Sequence, residues 1–204
     1  MTRASWVALL EEIERCERCG LCRQRTRTVP GEGNVCSPLM FVGEGPGARE
    51  DATGRPFVGA AGQLLDRMLA SIGLVREQVY IANVVKCRPE NNRTPTPDEA
   101  AACLPFLRTQ TALIRPQVIV CLGATPARYL LGDDVRVTRD RGRWVERKGV
   151  RMMCTYHPAA LLRDEAKFLP AREDFQAIRD ALQTLTLTPP DAAGGEAGDA
   201  LEGA

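Results

Sequence analysis

The sequence predicts an α/β fold in which a central, mainly parallel, four-stranded sheet is covered by helices on both sides. Four short runs are apolar on both strand faces, as in strands that are buried on each side, and they span residues 39–42, 79–87, 117–123 and 151–158. Segments with the 3.6-residue period of helices separate these runs. Such alternation of strands and helices favours parallel strands joined by helical crossovers.

Five helical segments complete this alternation. In residues 4–16 the apolar side chains recur at helical spacing, Ser5 is available as the N-cap, and Cys16 would stand at the helix end. The second helix, residues 59–73, would end at Gly73, because glycine readily adopts the left-handed conformation that closes helices. The remaining helices are predicted at residues 97–114, 124–132 and 171–185.

Composition and length indicate one domain of a cytoplasmic protein. The 204 residues are 44% hydrophobic and 26% charged, the apolar runs are too short to cross a membrane, and acidic residues stand where a signal peptide would be apolar. We therefore expect a cytoplasmic monomer that binds no membrane. Residues 1–188 form the predicted domain, and the acidic, Gly/Ala-rich residues 189–204 are predicted to be disordered.

The net charge of +1 conceals a mildly basic body. The last sixteen residues carry four acids and no base, so the rest of the chain has 27 basic and 22 acidic residues. A small positive excess suits an anionic partner such as DNA, although proteins that bind no nucleic acid often carry the same excess. Charge alone therefore leaves the partner open.

The loops that follow the predicted strands contain most of the chemistry-bearing residues. These loops read "GEGPG", "NVVKCRPENNR", "GATP" and "HPAALLR", and the last holds His157, the one histidine of the chain. In a parallel sheet, the loops at the carboxyl ends of the strands converge on the ligand. We therefore expect these four loops to build one site.

The cysteines indicate a second site. Eight cysteines in a chain without an export signal favour metal or cluster ligands over disulfides. The motif "CERCGLC" supplies Cys16, Cys19 and Cys22, and Cys87 and Cys103 follow far along the chain. Four thiolates can hold zinc or a [4Fe-4S] cluster, and spacing does not choose between them. Reduced thiols without a ligand and a ferredoxin-like electron carrier are the alternatives.

Several long motifs in one order resemble the family-4 uracil-DNA glycosylases, the iron-sulfur members of the uracil glycosylase superfamily. The motifs are "GEGPGAREDATGRPFVGAAGQLLD", "NVVKCRPENNRTP" and "HPAALLR", together with four of the cysteines, and the likeness runs from about residue 4 to residue 183. The resemblance implies a three-layer αβα fold and removal of uracil from DNA at the start of base excision repair. It also implies a structural [4Fe-4S] cluster on Cys16, Cys19, Cys87 and Cys103, with Cys22 as a bystander.

The resemblance also implies roles at the uracil pocket. Asn83 would read uracil, because one amide can pair with both the N3–H donor and the O4 acceptor, a pattern that cytosine reverses. Phe57 would stack on the flipped base, and His157 would donate a hydrogen bond to uracil O2 as negative charge develops. The alternatives are a strand-end cap for Asn83, a core phenylalanine for Phe57 and a structural histidine.

The glycine-rich turn is expected to bring backbone close to the base and the attacking water. Gly43 and Gly45 would allow that approach. The resemblance favours Glu44 near the water and Glu50 near uracil C5, where it would help to exclude the methyl group of thymine. General base, electrostatic stabiliser and structural acid all stay open for both glutamates.

DNA contacts are expected from one leucine and four cations. Leu161 matches the family's wedge, which fills the gap left by the flipped base; the alternative is that Leu161 and Leu162 anchor a short helix. Four cations would neutralise phosphates or else be solvated surface charges, namely Lys86, Arg88, Arg93 and Arg163.

Two further functions compete with uracil excision. A sister group in the superfamily becomes covalently linked to uracil-DNA through a histidine in an insert after the equivalent of Lys86, and this chain has neither the insert nor that histidine. Turnover is therefore favoured over trapping. An iron-sulfur DNA-binding module that senses damage without cutting DNA is the non-enzymatic alternative.

Overall fold

The computed structural model describes residues 2–186, and its centre is one six-stranded sheet. The spatial order of the strands is β1-β3-β2-β4-β6-β5. The strands are β1 (Glu32–Gly33), β2 (Leu39–Gly43), β3 (Tyr80–Asn83), β4 (Val118–Leu122), β5 (Val145–Arg147) and β6 (Val150–Thr155). The four central strands, β3, β2, β4 and β6, run parallel as predicted.

The sheet has two short antiparallel edge strands that the four-stranded prediction lacked. Strand β1 pairs with β3 over two residues, and β5 forms a hairpin with β6. Lys148 and Gly149 close that hairpin with φ of 48° and 76°, as two-residue turns between twisted strands require. Neither strand carries an apolar run, because edge strands are half-exposed, and so the apolar pattern did not reveal them.

Eight α-helices within the described residues cover the two faces of the sheet. They are α1 (Arg3–Glu14), α2 (Ala48–Thr53), α3 (Ala60–Ser71), α4 (Pro97–Ile114), α5 (Ala124–Leu131), α6 (Val137–Asp140), α7 (Pro158–Leu161) and α8 (Phe168–Thr186). One apolar core lies between the sheet and α1, α4 and α5, and a second lies between the sheet and α3, α7 and α8. The molecule is therefore a three-layer αβα sandwich, as predicted.

The helix ends follow local capping chemistry. Helix α4 has the predicted bounds: Thr96 and Glu99 form a reciprocal capping box, and Pro97 occupies the first turn. The N-cap of α1 is Thr2, whose hydroxyl accepts a bond from the Ser5 amide at 3.2 Å, so the prediction of Ser5 as the cap is wrong. Helix α8 begins three residues before its predicted start, because Pro170 is tolerated in a first turn.

The predicted boundary at residue 188 and the acidic tail, residues 189–204, lie outside the described residues. Between residues 2 and 186, no helix combines the length and the apolar character that crossing a membrane would require.

Candidate active site

A cleft of about 580 Å³ opens at the carboxyl ends of the four parallel strands. All four loops that were predicted to converge contribute to its walls. Six of the seven residues predicted for the uracil pocket line it, namely Glu44, Gly45, Glu50, Phe57, Asn83 and His157. The seventh, Gly43, ends β2 and pairs in register with Asn83 at the end of β3.

Gly43 lies where the side chains of Phe57 and Asn83 meet. A Cβ at Gly43 would stand 2.7 Å from Cζ of Phe57 and would also overlap Oδ1 of Asn83. Any larger residue would therefore displace both groups. Phe57 has φ of 52°, an unusual conformation for a bulky residue, and its ring is 6% exposed. Packing over the glycine thus fixes the ring and the amide together.

Asn83 presents an unpaired acceptor at the cleft. The residue is 1% exposed, and within the described residues its Oδ1 has no hydrogen-bond partner. A buried carbonyl oxygen without a partner costs about 1–3 kcal/mol. An unpaired acceptor in a residue of the cleft wall is available to a ligand or a water molecule.

His157 is held in one neutral tautomer. Its Nδ1 accepts a bond from the Ala159 amide at 3.1 Å, so the ring proton of the neutral form is on Nε2. Burial, with a smaller contribution from the nearby Arg163 charge, lowers the pKa of His157 to about 4. Its ring centroid lies 5.6 Å from that of Phe57. At neutral pH the imidazole is therefore a neutral hydrogen-bond donor beside the phenylalanine.

The two acids of the cleft have different partners. The Thr125 hydroxyl donates to Oε2 of Glu44, which orients that carboxylate across the cleft. Thr125 follows β4 and was not singled out from the sequence, although it lies in the "GATP" loop that was expected to converge here.

Glu50 joins two loops of the cleft wall. Its Oε1 accepts bonds from the amides of Val58 and Gly59, both at 2.8 Å, and its Oε2 accepts from the Gly47 amide at 3.1 Å. These bonds tie α2 to the segment that follows Phe57. Glu50 therefore supports the pocket structurally in addition to lining it.

A second, apolar pocket contains the four predicted cysteine ligands and Cys22. Burial raises the pKa of Cys19, of Cys87 and, to about 11, of Cys103. Two donors contact sulfur there: Nη1 of Arg25 lies 3.3 Å from Sγ of Cys87, and the Lys86 amide lies 3.2 Å from Sγ of Cys103.

Comparison with known proteins agrees with this architecture. The family model for the uracil DNA glycosylase superfamily matches residues 30–185. The chain belongs to this superfamily. A type-4 uracil-DNA glycosylase from Thermotoga maritima is 50% identical over 78% of this chain and 84% of its own. Those from Sulfurisphaera tokodaii (46%, 88% of this chain and 84% of its own) and Archaeoglobus fulgidus (49%, 76% and 81%) are similarly close, which shows that the chain is of the type-4 family.

Two of the residues that were expected to contact DNA, Lys86 and Leu161, are not exposed. Lys86 is 1% exposed, and its Nζ donates to the backbone oxygen of Asn83 and to Oε1 of Gln110. Burial lowers its pKa to about 8. The prediction that Lys86 binds phosphate is therefore wrong, because its ammonium points into the protein.

Leu161 is also buried, at 4% exposure, in the core that contains α3 and α8. Pro158 starts the short helix α7, and the inner face of that helix carries Leu161. The expectation of an exposed Leu161 is wrong. The next residue, Leu162, is 50% exposed.

The three predicted arginines lie at the cleft or beside it. Arg163 and Arg93 are exposed and line the cleft. Arg93 also forms a bidentate ion pair with Glu99, in which Nη1 and Nη2 each lie 2.7 Å from a carboxylate oxygen. Nε of Arg88 donates to Oδ1 of Asn92 at 2.8 Å, and this asparagine, which sequence reasoning did not select, lines the cleft as well.

Proposed function

We propose that this protein is a DNA repair glycosylase that flips uracil out of DNA and hydrolyses its N-glycosidic bond, leaving an abasic site. The unpaired Oδ1 of Asn83 carries this proposal, because it stands at a cleft that also holds an aromatic ring and a neutral imidazole donor. The family of the chain and the names of its type-4 relatives support the same activity.

Recognition of uracil would follow from the unpaired side-chain oxygen of Asn83. Oδ1 of Asn83 would accept the uracil N3–H, and the amide NH2 would donate to O4. Cytosine has no N3–H and presents an amino group at position 4, so both contacts would be lost. A bidentate contact of this kind discriminates by about 1–3 kcal/mol. Stacking on Phe57 would add about 1–3 kcal/mol without regard to base identity.

Catalysis would come from donors placed where negative charge develops. As the glycosidic bond lengthens, uracil becomes anionic, and the Nε2–H of His157 would donate to its O2. The neutral imidazole needs no proton from solvent for that task. Glu44, oriented by Thr125, would hold the attacking water or stabilise the sugar cation. Glu50 would keep Phe57 in place through its three backbone bonds.

DNA would approach the rim where Arg163 and Arg93 are exposed, with Arg88 beside it. Flipping leaves a gap in the duplex that an apolar side chain can fill. We assign that wedge to Leu162, because it is exposed at the end of the histidine loop whereas Leu161 is buried.

We further propose that Cys16, Cys19, Cys87 and Cys103 hold a [4Fe-4S] cluster. Four thiolates can hold either a zinc ion or a cluster, and the type-4 family of the chain favours the cluster. The shared pocket of thiols with donors to two sulfurs fits a larger anionic group. Once bound, the cluster would cross-link α4 to the segments after α1 and β3.

The remaining expectations complete the proposal. Residues 1–188 would act as one monomeric, cytoplasmic domain on uracil-containing DNA. Turnover is favoured over covalent trapping, because the loop after Lys86 carries no histidine.

The test uses the purified holoprotein and an oligonucleotide with one uracil, followed by heating in alkali to cleave abasic sites. Strand cleavage with uracil but not with thymine or cytosine is expected. An uncleaved strand that remains bound would support a damage sensor instead, and a protein–DNA adduct that survives detergent would support trapping. Either result would overturn the proposal.

A further inference from the structure

Lys86 carries a buried ammonium group. Burying an ammonium is costly unless it is well paired, yet both acceptors of its Nζ are neutral: the backbone oxygen of Asn83 at 2.8 Å and Oε1 of Gln110 at 2.7 Å. An apolar side chain of similar length would fill the same space but would leave both buried acceptors unpaired. The ammonium therefore holds these two acceptors in place as well as filling space.

The backbone of Lys86 belongs to the cysteine-lined pocket. Its amide donates to Sγ of Cys103 at 3.2 Å, and the following residue is Cys87. Its carbonyl accepts a bond from the Val29 amide at 2.8 Å. The amide, the carbonyl and the ammonium of Lys86 therefore all form hydrogen bonds. The backbone amide contacts a cysteine, whereas the side chain contacts the end of β3.

Gln110 makes the side-chain contact rigid. It is fully buried on α4, and its Nε2 donates to the Pro30 oxygen at 2.8 Å and contacts the Tyr80 hydroxyl at 3.1 Å. With its amide orientation fixed by these partners, Oε1 can face only the ammonium. The position of Nζ, and with it the contact to the Asn83 oxygen, is therefore fixed from two sides.

We propose that Lys86 is a positioning residue that ties the uracil-reading Asn83 to the cysteine-lined pocket. The inference rests on the proposed function. Its ammonium holds the backbone oxygen of Asn83, so that the unpaired Oδ1 keeps its place over Gly43 beside Phe57. Thiolates of a bound cluster would supply the negative charge that the two neutral acceptors lack.

The experiment compares iron-loaded Lys86→Met with wild type in single-turnover excision, with rates normalised to iron content. The maximal rate is expected to fall by about 10- to 100-fold, the size of effect that misplacement of a reacting group produces. The enzyme concentration for half-maximal rate should change by less than about threefold, because no phosphate contact is removed. Arg179→Met, which removes an exposed cation on α8, is the matched control and should behave as wild type.

Two readouts separate positioning from general support. If Lys86 acts through Asn83, the double variant Lys86→Met/Asn83→Ala should be no slower than Asn83→Ala alone, since coupled residues are not additive. Independent of activity, iron release to a chelator should be about 10-fold faster in Lys86→Met, because the amide bond to Cys103 stays but the positive charge that interacts with its sulfur is lost. A wild-type maximal rate, or losses that multiply in the double variant, would overturn the inference.

Gln110→Leu keeps the experiment decisive if Lys86→Met does not fold. It removes one acceptor of the ammonium, leaves Lys86 and Asn83 in the chain, and should lower the maximal rate by about 3- to 10-fold, below the loss expected for a misplaced reacting group. A wild-type rate in a folded Gln110→Leu would reject the coupling. Full activity of Asn83→Ala would instead contradict the proposed function, so the two failures are distinguishable.

Discussion

The uracil cleft and the cysteine pocket are built on opposite principles. In the cleft, the protein's own hydrogen bonds already orient the proposed reacting groups: Thr125 holds Glu44, and the Ala159 amide holds His157. In the cysteine pocket, burial raises the pKa of Cys19, Cys87 and Cys103, which disfavours their thiolate forms. The cleft is therefore preorganised for a ligand that comes and goes, whereas the buried thiols of the pocket stay neutral until an occupant that binds thiolates is present. Variants that disturb one region and spare the other test this difference.

The largest effect is expected from His157→Ala, which breaks the cleft alone. Loss of one donor to a developing anion costs about 10²- to 10³-fold in rate. The single-turnover excision rate should fall by that factor and the iron content should stay as in wild type, while loss of the helix-capping bond to the Ala159 amide lowers stability by about 0.5–2 kcal/mol. Asn83→Ala should behave alike and should also weaken discrimination between uracil and cytosine. Normal turnover by either variant would withdraw that residue's assigned role.

The complementary change breaks the cysteine pocket. Cys87→Ala should abolish the visible absorbance and lower the iron content, because one of the four proposed thiolate ligands is lost. The matched control is Cys22→Ala, which removes a thiol from the same pocket but should retain iron and colour. Iron loss in Cys22→Ala with retention in Cys87→Ala would show that the ligand set is different.

Much of the cleft and of the cysteine pocket could be predicted from the sequence, because short sequence motifs supply most of their residues. Helix α4 was predicted to the residue, since Thr96, Pro97 and Glu99 encode its start locally. The four loops of the cleft could be predicted because each begins at the carboxyl end of an apolar strand, and parallel strands present these ends at one edge. The family resemblance supplied the individual roles of Asn83, Phe57 and His157.

The residues that sequence reasoning missed act through long-range contacts. Arg25 and Cys87 are 62 positions apart, and Thr125 and Glu44 are 81 apart, so no local pattern could pair them. The sequence of Lys86 and its neighbours indicates a surface cation, because lysine is almost never fully buried. Its burial depends on Gln110, 24 positions away, which only the packing of α4 against the sheet reveals.

The adjacent leucines of the histidine loop, Leu161 and Leu162, separate a role in fold stability from a role in DNA contact. Leu161→Ala should destabilise the fold by about 2–5 kcal/mol, as for other buried leucines, and leave the excision rate per folded molecule near normal. Leu162→Ala should leave stability within about 0.5 kcal/mol, as for surface changes, and slow excision from duplex DNA more than from single strands. Denaturant unfolding and single-turnover rates on both substrates check this pair; the reverse assignment would restore Leu161 as the wedge.

The smallest expected effect is the pH dependence that His157 contributes. Its folded pKa of about 4 lies below the ordinary value of about 6.5. Above pH 6.5 the imidazole is neutral in both the folded and the unfolded chain, so it adds no pH dependence. Between pH 6.5 and 4 the unfolded chain binds a proton that the folded chain excludes, and falling pH therefore lowers the free energy of unfolding. Protonation of the folded enzyme begins only near pH 4, where a proton on Nδ1 would oppose the Ala159 amide.

The contribution of His157 to the excision rate should thus stay flat from pH 8 to about 5, although the free energy of unfolding already declines over this range. His157→Asn cannot titrate, so its free energy of unfolding, measured with denaturant, should decline less as the pH falls. An excision rate that instead fell with a midpoint near 6.5 would mean that the imidazole is exposed in the working enzyme.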